Sequence, residues 1–104
     1  MPKINLNNPI LLTAAFRQMP LHAEYKTEEN GHVSGIVPEL EVMDSGEDYE
    51  QCLNLLLEGC KEYAGLYLED LNFWYSGRPH ELGAVLKVFL SSDEELKECL
   101  AGRI

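Results

Sequence analysis

The chain reads as a single α+β domain, and three observations predict it. Short segments alternating in polarity, broken by turn residues, fill residues 21–44. A long run with helical spacing follows at 49–71, opened by a capping residue. A second capping signal near the C-terminus announces a short last helix. Together they predict a mainly antiparallel sheet of three to five strands packed on one long helix, with residues 1–104 forming one domain.

Residues 1–9 are polar, with two prolines and three asparagines, and read as an irregular lead-in. Residues 10–19 suit a strand with Leu12, Ala14 and Phe16 on one face, although a short helix fits too; Pro20 ends the segment. The next unit is a hairpin. Asn30-Gly31 is a favoured pair for a two-residue turn with positive φ at both positions. A turn placed there sets Tyr25 opposite Ile36 and Thr27 opposite Ser34. Leu21, Ala23, Tyr25 and Ile36 then share an apolar face, with His22, Glu24 and Lys26 on the other. Pro38 closes the second strand because it has no N–H to donate. Residues 41–44 are long enough for a third strand, and Ser45-Gly46 turns the chain.

Asp48 opens the long helix as its N-cap, with Gln51 placed to reach back. Tyr49, Cys52, Leu53, Leu56, Cys60, Tyr63, Ala64, Tyr67 and Leu71 fall in one sector at 100° per residue. Asn54, Glu58, Lys61, Gly65 and Glu69 fall opposite. The helix is expected to end before Ser76-Gly77-Arg78-Pro79. Residues 82–90, apolar on both alternating sets, read as a buried strand. Ser92 and Glu95 form a second capping box for a short helix that Gly102 stops.

Charge narrows the function. Eight Lys and Arg face 18 Asp and Glu, a formal net charge of −10. Such a field repels phosphate backbones and anionic membranes and favours a basic partner. No apolar run approaches the roughly 20 residues of a membrane span. Cys52 and Cys60 lie about 12 Å apart along a helix axis, too far for a disulfide. With Cys99 they read as reduced thiols, so a cytoplasmic location is expected. The scattered His22, His32 and His80 lack metal-ligand spacing, so no metal or cofactor is expected. Glu24 and Asp44 are the plausible contributors to paired-carboxylate chemistry, and no phosphate loop, serine elbow or HExxH occurs, so an enzyme is not expected. The acidic residues Glu39, Glu41, Asp44, Glu47 and Asp48 are the candidate partner-binding set. Leu55, Gly59 and Leu66 lie on a flank outside the main apolar sector. A mid-helix glycine costs up to about 1 kcal/mol against alanine unless something packs closely on it. That flank is therefore the candidate contact in a homo-oligomer, with intramolecular packing as the alternative.

The segments Glu24-Tyr25-Lys26, Glu28-Glu29-Asn30-Gly31, Pro38-Glu39-Leu40 and Ser45-Gly46-Glu47-Asp48, followed by the long helix, resemble the HicB-like antitoxin family over about half the chain. The resemblance implies a partial ribonuclease-H-like α+β fold. It also implies a protein that masks HicA, a small basic toxin cleaving messenger RNA. Many HicB proteins add a DNA-binding segment after this domain. Here the residues after Trp74 include few cations, Arg78, Lys87, Lys97 and Arg103, and form no basic recognition helix, so operator binding is not expected. The alternative function is an orphan HicB-like domain that self-associates and has no toxin partner.

Overall fold

The structure is a computed structural model, and it describes residue 16 and residues 18–101. Most of the segment read as a strand over residues 10–19, and the stop at Gly102, lie outside the described residues. Phe16 is helical, and the Met19 N–H donates to its carbonyl at 3.1 Å, so the end of that segment turns rather than extends.

Three antiparallel strands form one sheet: β1 (Glu24–Thr27), β2 (Val33–Val37) and β3 (Val42–Gly46), in the order β1-β2-β3. The first hairpin exists, but its register is one residue away from the expected one. Tyr25 pairs with Gly35, Glu24 with Ile36 and Thr27 with Val33. The turn explains the slip. Gly31 N–H bonds the Glu28 carbonyl at 3.0 Å, and Gly31 alone takes positive φ (88°). Asn30 does not, so the turn spans Glu29, Asn30 and Gly31 instead of two residues. Because side chains alternate, the slip moves Ile36 to the outer face and puts Val33, Gly35 and Val37 inside, where all three are buried.

Helix α1 (Tyr49–Glu69) lies across the inner face. The Asp48 side chain accepts from Gln51 N–H, as capping chemistry requires. Gln51 reaches back one residue further than a capping box, accepting from the Glu47 N–H at 2.6 Å. Cys52, Leu56, Cys60, Ala64 and Tyr67 of the expected stripe are buried, and Leu57 joins them. The helix breaks at Asp70 (φ −128°, ψ 65°), earlier than expected, and restarts as α2 (Leu71–Gly77), none of whose residues is buried. Leu71 is thereby exposed.

Residues 82–90 are not a strand. After a 3₁₀ turn at Pro79–Glu81 they form α3 (Leu82–Leu90). A continuous apolar run fits either period, and proline at the first position of the turn starts a helical one. Ala84, Val85 and Val88 bury at helical spacing while Phe89 is exposed. The second capping box forms as expected: Ser92 accepts from the Glu95 N–H at 3.2 Å and opens α4 (Asp93–Leu100). Helices α3 and α4 pack on α1, so one core runs from β2 through α1 to Leu96 and Leu100.

Candidate functional site

Helix α1 covers one face of the sheet; among the described residues no element packs on the other. Alternation places two rows on the open face: Glu24–Ile36–Met43 and Lys26–Ser34–Ser45. They line a shallow depression together with Tyr25, Gly35 and Asp44. Met43 is 70% exposed and sits beside half-buried Ile36, giving an apolar centre inside a polar rim.

The candidate acidic residues are spread along β3 and its two flanking connections. Glu39 and Glu41 occupy the β2–β3 connection, Asp44 lies on β3, and Glu47 and Asp48 lead into α1. The five candidate partner-binding residues therefore straddle both ends of β3, and the fold engages four of them internally. Glu39 accepts from the His22 N–H at 3.0 Å and lies against the His22 ring. Glu41 pairs with Arg78 at 2.9 Å, across 37 residues of sequence. Asp44 accepts from Ser45 N–H and Asp48 caps α1. Glu47 is exposed, with only its backbone N–H engaged. Glu41 also adopts φ 55°, a left-handed conformation that favours glycine.

Glu24 and Asp44 do not converge. Glu24 belongs to an outward row, whereas Asp44 pairs with inward-facing Gly35. Among the described residues no group of three or more His, Cys, Asp or Glu is placed to hold a metal ion. Among them, too, no helix is long and apolar enough to cross a membrane.

The flank formed by Leu55, Gly59 and Leu66 divides. Leu55 and Leu66 are exposed. Gly59 is met by β3: a Cβ there would lie 2.9 Å from Val42 Cγ1. The close approach that offsets a mid-helix glycine therefore comes from within the chain.

A buried polar group escaped the sequence reading. Glu81 is fully buried at the 3₁₀ turn, accepting from the Tyr63 hydroxyl, with Arg78 at 3.6 Å. Its second oxygen has no hydrogen-bond partner among the described residues. Tyr67 donates to the Arg78 carbonyl at 2.7 Å, and Tyr63, Tyr67 and Trp74 pack their rings together. The cluster fixes the junction between α1 and α3. The hydrogen bonds from Tyr63 and Tyr67 span 18 and 11 residues of chain, so no local motif reveals the cluster.

Burial raises the Cys60 thiol to about 12, with Glu39 adding to the effect. Burial also raises the Cys52 thiol. Neither is suited to act as a thiolate nucleophile.

Residues 5–101 match the family model PHD_like, described as an antitoxin of toxin–antitoxin, RelE/RelB, TA systems. A crystal structure from Syntrophomonas wolfei subsp. wolfei, described as an antitoxin part of a candidate toxin/antitoxin system, superposes with a TM-score of 0.74. The two are 25% identical, over 89% of this chain and 69% of that chain. No curated protein matches. Both findings name an antitoxin, and neither names the HicB group.

Proposed function

The chain belongs to the PHD_like family of toxin–antitoxin antitoxins, and from that membership we infer that it works by binding and covering a toxin. The observation that carries this reading is the family match across residues 5–101. The finer reading, taken from the HicB-like resemblance, is a small basic toxin that cleaves RNA. A net charge of −10 suits such a partner. Glu47 offers an exposed carboxylate for it, and Glu39 and Glu41 offer carboxylates already balanced by His22 and Arg78. The chain is a binding protein with no catalytic step or cofactor of its own. It self-associates, and it acts in the cytoplasm, where its free cysteines stay reduced.

Growth rescue tests this reading. The protein encoded beside this chain is expressed in a heterologous host, alone and with this chain. Arrest alone and growth with co-expression are expected. Arrest that persists at equal expression overturns the reading.

A further inference from the structure

We propose that two copies of this chain pair edge to edge through β1, antiparallel about a two-fold axis at Tyr25, to form a six-stranded sheet. The inference rests on the self-association proposed above and gives it a surface.

β1 is an edge strand, with β2 as its sole neighbour among the described residues. An open edge presents unpaired N–H and C=O groups that pair readily with another strand. The Glu28 N–H donates to the His32 carbonyl at 2.7 Å, which fixes the alternation. Residues 24, 26 and 28 direct their backbone groups at β2. Tyr25 and Thr27 turn theirs to the open edge, as a further antiparallel strand requires.

Charge selects the partner and the register. Glu24 and Lys26 flank Tyr25 on the open face, both exposed, and neither side chain forms an ion pair with another described residue. A two-fold axis at Tyr25 sets Glu24 of each copy opposite Lys26 of the other. Sliding by two residues either way faces Glu24 with Glu24 or Lys26 with Lys26, which destabilises the pair. The strand is therefore complementary to itself in one register of the right alternation. Such an axis stands perpendicular to the sheet, so both copies keep α1 on the same side and the open faces become continuous. The overall negative charge opposes association over long distances, but salt screens it beyond about 8 Å at physiological ionic strength.

Charge reversal in the full chain tests the pairing, read by sedimentation equilibrium. Wild type is expected to dimerise. E24K sets lysine against lysine across the two-fold axis, and K26E sets glutamate against glutamate. Each is expected to raise the dimer dissociation constant by roughly tenfold or more. The two single variants mixed in equal amounts are expected to form a heterodimer, because the paired lysines of one strand then face the paired glutamates of the other. E24K also reduces the net negative charge, so if overall repulsion alone governed association it would dimerise more tightly, the opposite result. A wild-type dimer that both variants retain overturns the β1 interface and leaves self-association standing. A monomeric wild type at all concentrations overturns both.

Discussion

The Tyr25 hydroxyl donates to the Leu100 carbonyl at 2.5 Å, joining the first strand to the last helix across 75 residues. The same ring lies 4.7 Å, centroid to centroid, from Tyr49 at the start of α1. One side chain thus ties together β1, α1 and the C-terminal end of α4. Tyr25→Phe keeps the ring contacts and removes the tie. It should lower stability by about 0.5–1.5 kcal/mol in urea unfolding. An unchanged midpoint would show that the bond contributes nothing.

Gly35 sits beneath that ring. A Cβ at position 35 would meet Leu56 Cδ1 at 2.7 Å, Cys52 Sγ at 3.0 Å and Tyr25 Cδ1 at 3.1 Å. Three neighbours from two elements cannot all move away. Gly35→Ala should therefore destabilise by about 1–3 kcal/mol, through overpacking rather than backbone strain. Gly35→Ala combined with Leu56→Ala should cost less than the sum of the two single changes. Strict additivity would refute the contact.

Burial holds the protons on Cys60 and Tyr63. Cys60 rises from 9.0 to about 12 through burial first and Glu39 second. Tyr63 rises from 10.0 to about 12 through burial first, then its bond to Glu81. Both groups bind protons more tightly folded than unfolded, so their contribution is complete below about pH 9 and is lost as pH climbs toward 12. Stability should decline across that window. At pH 8, iodoacetamide should label half-buried Cys99 first and reach Cys52 and Cys60 only on unfolding. Equal labelling of all three in the native protein would contradict the packing.

How legible the chain was depends on how local each signal is. Asp48 and the Ser92–Glu95 box act over three residues, and both caps form where the sequence places them. The hairpin was legible, but its register was not. One residue's φ decides between a two-residue and a three-residue loop, and Asn30-Gly31 permits either. That single choice set Ile36 on the inner face, whereas it belongs to the open one. Residues 82–90 failed for another reason: Val85, Val88 and their apolar neighbours satisfy both periods, and packing against α1 decides. Glu81 was invisible because its partners come from α1 and from the preceding turn. The acidic residues are plain in the sequence, but the pairing of Glu39 with His22 and of Glu41 with Arg78 needs the fold.

Glu47 separates electrostatic steering from structure. It is exposed, and its side chain takes no part in the cap that Asp48 and Gln51 build. Glu47→Lys should leave folding unchanged and slow association with a basic toxin by about threefold or more at low ionic strength, the difference vanishing in high salt. Stopped-flow association across a salt series reads this directly. A salt-independent rate equal to wild type would remove this region from the interface.

Neutralisation of a toxin by direct contact is the proposed activity of this chain. It is tested by titrating the chain against the purified protein encoded beside it while following RNA cleavage by that protein. Cleavage is expected to fall to background as a stable complex forms at a fixed stoichiometry. Cleavage that continues unchanged at excess antitoxin, with no complex in solution, would contradict it.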